Sequence, residues 1–422
     1  MSAELPNRTV ERLRPFGSTV FAEMTALAVA TGAVNLGQGF PDTDGPASML
    51  AAAQDAIAAG LNQYAPGAGM PVLRDAIAAD RARRSNIQYD PATEILVTVG
   101  ATEGIAAAIL GLVEAGDEVL LIEPYYDSYA AAIALAGARR RTVPLVADGS
   151  GYAVDLDALE RAIGPDTTLL IVNSPHNPTG TVFTRAELTR IAEIACKHNL
   201  LVLTDEVYER LVFDGPSSGH SAGSTPASPG HSAGSTPASS GHSAGSTPEH
   251  VPLATLPGMF ERTVTVSSAA KTFNATGWKT GWALGPANLI DAVRSAKQFM
   301  TFVGGTPFQP AVAHALEHED QWVAELRRGL QRKRDRLSTS LTKAGLTVKA
   351  SAGTYFVCAD VAPLGETDAV AFCRSLPARI GVAAVPVTAF VDQPEPWKTL
   401  VRFAFCKKDD VLDEAAERLL EL

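Results

Sequence analysis

Little in this sequence is extreme, and each scarcity removes a class of function. Cysteine is rare: Cys196, Cys358, Cys373 and Cys406 stand far apart, with no C-x-x-C pair among them. That spacing is foreign to a disulfide-built domain and to a cysteine zinc site, and it suits a reducing compartment. Basic residues form no dominant block; 35 Lys and Arg face 46 Asp and Glu, for a formal net charge of −11. A non-specific nucleic-acid binder needs a basic footprint against the phosphates, so that class is set aside. The nearest approach to one, "RRGLQRKRDR" at 327–336, reads as a solvated helix face. No apolar run has the length needed to span a bilayer. The N-terminal "MSAELPNRTVERLRPFG" scatters charges where a secretory leader would carry an apolar stretch. A cytoplasmic protein is expected, with neither nucleic acid nor membrane as partner.

What is present is enough for a large core: 422 residues, 46% of them hydrophobic. One segment stands apart. "GHSAGSTPASP", "GHSAGSTPASS" and "GHSAGSTPEH" begin at Gly219, Gly230 and Gly241, a tandem repeat of period 11. Its small and polar residues bury too little apolar surface to offset the entropy of ordering, so 215–249 reads as a disordered surface insertion. Loop-closure cost grows slowly with length, and a fold tolerates such an insertion. His220, His231 and His242 recur within it, but converging three ligands on a flexible chain costs heavily in entropy, and no metal site is expected.

Elsewhere, short β-branched apolar runs alternate with amphipathic stretches. "EILVTVG", "DEVLLIEP", "TTLLIVNSP", "NLLVLTDE" and "RTVTVSS" read as buried parallel strands. "ATEGIAAAILGLVEAG" and "RAELTRIAEIACKHN" read as the helices between them. The alternation predicts an α/β fold, a mostly parallel sheet sandwiched by helices. The expected division is an N-terminal arm with part of a small domain over 1–45, a large domain over 46–292 and a smaller α+β domain over 293–422. In that last part "GTYFVCADV", "GVAAVPV" and "LVRFAFC" are the expected strands.

Ligands of open parallel sheets bind beyond the C-terminal strand ends. The residues just past the expected strands are Gly100, Ala101 and Thr102, opening a helix; Tyr125 and Tyr126; Asn177 within "NSPHNPTG"; Asp205 and Tyr208 within "TDEVYE"; and Ser268 and Lys271 within "SSAAKTFNATGWKTGW". An anion cradle, an aromatic plate, an amide, a carboxylate, a phenol, a hydroxyl and an amine at one rim suit a phosphorylated aromatic aldehyde.

In their order and spacing these motifs resemble the class I/II aminotransferases of fold type I, whose cofactor is pyridoxal 5′-phosphate. The resemblance spans nearly the whole chain outside the repeat. It implies that Lys271 is the lysine that condenses with the cofactor aldehyde and then moves the substrate proton. Asp205 matches the carboxylate paired with the pyridine nitrogen, and Asn177 and Tyr208 match the pair on the cofactor's 3′-oxygen. Tyr126 matches the ring stacked on the cofactor, with Tyr125 as an alternative. Gly100, Ala101, Thr102, Ser268 and Lys279 match the phosphate cradle, Lys279 standing where many relatives carry Arg. Tyr64 matches a tyrosine lent to the neighbouring subunit's phosphate, which implies a homodimer with shared sites. Arg402 in "LVRFAFC" matches the grip on the substrate α-carboxylate, and "LGQGFPD" (36–42), with Gly39, the segment that closes over the substrate. The expected partners are a small amino acid and a 2-oxo acid. Within the family the N- and C-terminal stretches look most like bacterial N-succinyldiaminopimelate aminotransferases. A broad kynurenine, glutamine or methionine transaminase and a cysteine-conjugate β-lyase are the alternatives.

Overall fold

The computed structural model describes residues 8–17, 20–215 and 248–422. All of the period-11 repeat up to residue 247, with His220, His231 and His242, lies outside the described residues. Seven strands form the central sheet: β1 Ile95–Val99, β2 Glu118–Glu123, β3 Arg139–Pro144, β4 Thr167–Asn173, β5 Leu201–Asp205, β6 Thr263–Ser268 and β7 Thr280–Leu284. Their spatial order is β1-β7-β6-β5-β4-β2-β3. From β6 across to β3 every pair is parallel, while β7 runs antiparallel to both β1 and β6.

The expected strands are all here, and two more join them. Strand β3 opens on three exposed arginines and forms the sheet edge, where apolar patterning is not required. Strand β7 is fully buried, but its "TGWAL" begins on a threonine and a glycine, which weakens any strand signal. Helices cover both faces. The main ones are α1 Val20–Thr31, α2 Pro71–Ser85, α3 Gly100–Leu112, α4 Arg185–Lys197, α5 Ala287–Lys297 and α6 Asp320–Lys343. Ile105, Ala108 and Ile109 of α3 bury against Val119, Leu121 and Val266 of the sheet. Helix α4 starts on a reciprocal Thr184–Glu187 capping box.

A second, antiparallel sheet has the order β8-β9-β11-β10, from β8 Thr347–Val348, β9 Phe356–Asp360, β10 Val385–Pro386 and β11 Leu400–Ala404. The expected single strand in "GVAAVPV" is divided. Val382–Ala383 pairs in parallel with Val34–Asn35, and Val385–Pro386 pairs with β11. Pro386 lacks the N–H a continuing ladder needs, and the chain changes sheets at Ala384. Leu36 from near the start of the chain packs in one cluster with Leu330 of α6, Phe403 of β11 and Tyr208. Val312 and Val323, which come after position 292, instead share a cluster with Met49, Leu73 and Trp282.

One polar network pins the ends of β5 and β6 from behind. Arg81 of α2, 2% exposed, donates to both oxygens of Glu209 at 2.5 and 2.8 Å and lies 3.6 Å from Glu206. Ser267 Oγ donates to Glu209 at 2.8 Å, and His250 Nε2 meets Glu206 at 3.2 Å. Glu206, Glu209 and His250 thus gather their ligand atoms within 4.8 Å of one another, and the Arg81 guanidinium supplies the cation there. Burial alone would raise Glu209; the Arg81 and Arg84 guanidiniums overrule it and hold the carboxyl at about 2. A depressed carboxyl stabilises the fold above its unfolded value of about 4.3 and loses that contribution as pH falls toward about 2. Arg81→Met, which strands two buried carboxylates, is expected to cost about 3–5 kcal/mol in urea unfolding at neutral pH. The deficit should shrink on acidification through the unfolded carboxylate value, and a pH-independent deficit would assign the loss to packing instead.

Candidate active site

The C-terminal ends of the sheet open on a cavity of about 290 Å³ between the two sheets' residues. Period-two alternation puts Ser267 toward the Glu209 network and sends Ser268, the last residue of β6, to the cavity wall. Asp205 ends β5, buried. Its Oδ2 accepts from Tyr129 Oη at 2.6 Å and its Oδ1 from the Val207 N–H at 3.2 Å. Its main-chain oxygen accepts from Asn173 Nδ2 at 2.9 Å. Burial raises the Asp205 carboxyl, and the Tyr129 and Val207 hydrogen bonds only partly offset this. A carboxylate placed so is stabilised by a cation brought to it.

Lys271 lies in the single turn Ala269–Thr272 directly after β6. Its Nζ bonds Tyr355 Oη at 2.7 Å and stands over the rings of Tyr355 and Tyr208 at 5.3 and 5.7 Å. Burial lowers Lys271 to about 8; Asp205 pulls the other way without overcoming it. The Tyr355 hydroxyl in turn donates to the Gly39 carbonyl at 2.5 Å. Only glycine fits at 39, since a Cβ there would lie 2.3 Å from Phe356 Cζ.

An anion cradle sits at the opposite wall. Helix α3 begins on Gly100 with no side-chain cap from Val99, so its first amides face the cavity with the positive end of the helix. Gly100 has φ +73°, and a Cβ on it would meet Lys279 Cε and Nζ at 3.1 Å. Lys279 itself holds φ +51°. The lysine is therefore folded over the helix start, beside Ala101, Thr102 and Ser268 on the same wall.

Arg402 of β11 is 3% exposed and forms no ion pair among the described residues. It donates to Asn177 Oδ1 at 3.1 Å and to the Gly37 carbonyl at 2.8 Å. Its Nε is buried with no partner among the described residues. Phe356, Phe390 and Phe21 pack on the guanidinium at 4.0, 4.7 and 5.3 Å. Burial pulls it down to about 10. A planar fork with no ion pair, in an apolar cage on the cavity wall, suits a carboxylate.

A family model for aminotransferase class I and II matches residues 31–419. The chain belongs to the class I and II aminotransferases. A probable N-succinyldiaminopimelate aminotransferase from Mycobacterium tuberculosis is 58% identical over 97% of this chain and 98% of its own length. The methionine aminotransferase of Escherichia coli is 37% identical over 97% of each. The solved structure of the Mycobacterium tuberculosis N-succinyldiaminopimelate aminotransferase superposes with a TM-score of 0.89 at 59% identity, covering 98% of this chain and 99% of that one. The chain is thus an aminotransferase with the fold-type I architecture, a mostly parallel sheet flanked by helices plus a smaller unit.

Aminotransferases of this family depend on pyridoxal 5′-phosphate, and the residues present fit it. The glycine-lined helix start beside Lys279 suits its phosphate, the under-compensated Asp205 suits a protonated ring nitrogen, and Lys271, lowered by burial, suits its aldehyde. Of the anticipated residues, Gly39, Gly100, Ala101, Thr102, Tyr126, Asn177, Asp205, Tyr208, Ser268, Lys271, Lys279 and Arg402 all line the one cavity. Tyr125 turns away and donates to Asp392 at 2.9 Å, leaving Tyr126 on the wall. Tyr64 does not reach the cavity; it is 84% exposed, its ring edge-on to Phe302 at 5.7 Å. Sequence reasoning passes over Tyr129, Tyr355 and the phenylalanines around Arg402. Tyr129 looks like any core residue of the helix Asp127–Ala136. The pair Tyr355–Phe356 is signalled only by lying in the "GTYFV" strand, which pairs with the Arg402 strand.

The state of Lys271 is directly measurable. In cofactor-free protein, pulse labelling with an amine reagent across a pH series should give Lys271 a midpoint near 8. Ordinary lysines should titrate later, at about 10.4. Peptide mass spectrometry reads both, and an ordinary midpoint for Lys271 would contradict its desolvation.

Proposed function

We propose that this chain transfers the amino group of N-succinyl-LL-2,6-diaminopimelate to 2-oxoglutarate, with pyridoxal 5′-phosphate held in the cavity described. The observation that carries the choice of donor is the 58% identity to the probable N-succinyldiaminopimelate aminotransferase over nearly the full length of both chains, against 37% for the methionine enzyme. The bound cofactor supplies an electron sink for the carbanion left when the substrate's Cα loses its proton. The protein's own groups do the rest. Arg402 binds the α-carboxylate from the cavity wall and so fixes which Cα bond faces Lys271. Lys271, neutral above about 8, takes the Cα proton and later returns one. Tyr355 holds the Lys271 amine at 2.7 Å, keeping it aimed while unprotonated. Asp205, oriented by Tyr129, keeps a negative charge under the ring nitrogen. Gly100, Ala101, Thr102, Ser268 and Lys279 hold the phosphate, Tyr126 covers the ring, and Asn177 and Tyr208 serve the 3′-oxygen. Gly39 and its segment exclude water from above.

We further read the protein as a cytoplasmic homodimer, which gives the exposed Tyr64 a place against the other subunit's phosphate cradle. The absence of a capping side chain on α3 leaves room for one more donor there.

Lys271→Ala should remain folded by circular dichroism and lose transamination entirely; retained turnover would end the assignment. With the wild type, rapid mixing with single donors should convert the cofactor to its amine form fastest with the succinylated diaminopimelate, ahead of glutamate, kynurenine and methionine. Preference for kynurenine or methionine would make it a broad transaminase. Arg402→Gln should lower kcat/KM for the donor by about 10- to 100-fold, as expected for loss of a charged hydrogen-bonded pair.

A further inference from the structure

A second cleft, of about 650 Å³, shares no lining residue with the active-site cavity. Five arginines line it, Arg83, Arg84, Arg185, Arg210 and Arg327. In a chain with net charge −11 such a concentration is a local reversal of sign.

The carboxylates nearby do not balance it. Asp80 and Asp320 are divided among Arg83, Arg84 and Arg210, at separations from 2.6 to 3.9 Å. Glu209 lines the inner wall; Arg81 donates to both of its oxygens, and Arg84 approaches it only to 3.7 Å. Glu249 is the one further acid in the lining. The side chains of Arg185, at the start of α4, and Arg327, on α6, have no carboxylate partner among the described residues. Burial holds Arg84 below the ordinary arginine value despite Glu209 and Asp80.

Guanidinium forks arranged around a cleft match the oxygens of phosphate groups, and each fork can take two of them. The volume falls within the range of small-molecule sites, about 300–1,000 Å³. The lining offers Ser85, Asn86 and His250 as further polar groups and no Phe, Tyr or Trp on which a base could stack. The occupant this selects is compact and highly charged, and not a nucleoside. We propose that the cleft binds a small molecule bearing several phosphate groups. Its inner wall, Glu209, bonds Ser267, the residue before Ser268 of the active-site cavity, so the two sites share one strand end.

The test uses the cofactor-loaded enzyme and inorganic tripolyphosphate as probe, titrated calorimetrically at constant ionic strength. Saturable binding of one equivalent per chain is expected, unaffected by added pyridoxal 5′-phosphate. The double variant Arg185→Gln/Arg327→Gln removes the two unpaired cations and touches neither the core nor the active site. It should weaken binding about tenfold or more while thermal unfolding and transamination stay at wild-type values. No saturable heat, equal affinity in the double variant, or competition by pyridoxal 5′-phosphate would each overturn the proposal. These outcomes do not depend on which amino donor the enzyme uses.

Discussion

A buried guanidinium without a carboxylate is the constraint around which this active site is organised. Arg402 lies among three phenylalanines with only neutral acceptors, and Lys271 shares the same cavity. Two desolvated cations, with Lys279 on the same wall, face Asp205 as the one carboxylate in the lining among the described residues, and leave the cavity wanting negative charge. Free energy that a structural protein would have recovered with an internal ion pair is here left for a ligand to recover. Burial lowers Lys271, with the Arg402 and Lys279 charges adding to the effect, and so makes its amine a base near neutral pH.

Holding those charges in place requires rigid supports, and the fold provides them by strand alternation. At the end of β6 one serine turns back to Glu209 and the next faces the cavity. At the end of β5, Asp205 faces forward while Glu206 and Glu209 tie to Arg81 behind it. The Arg81 network thus braces the floor from the far side without entering the chemistry. From the other sheet, Tyr355 directly before β9 and Arg402 on its partner β11 arrive together, so the smaller unit delivers both the lysine's hydrogen-bond partner and the caged guanidinium. Closure of Gly39 over Phe356 links the N-terminal segment to the same strands.

Charge also distinguishes the two clefts. In the active site two of the three lining cations, Lys271 and Arg402, are desolvated, which suits one orientation of one substrate. In the arginine-lined cleft they are many and partly solvated, which suits high charge density over shape.

Much of this was legible in the sequence because it rests on local signals. Runs such as "VLLIEP" and "LLIVNSP" are buried on both faces, so composition alone marked them as parallel strands, and the residues just past each marked the rim. Edge strand β3 was hidden by its arginines and β7 by its glycine, because burial there is set by neighbours in space. The division of "GVAAVPV" between two sheets needed the partner strands to be known. Tyr129 and Tyr355 were invisible for the same reason: each acquires its role only by meeting a group 76 or 84 residues away. The sequence by itself determined which chemical groups gather at the strand ends, since side-chain type and strand order are written locally. Only the tertiary structure decided how those groups are charged, because desolvation and the pairing of Arg402, Lys271 and Asp205 depend on what the folded chain brings beside them.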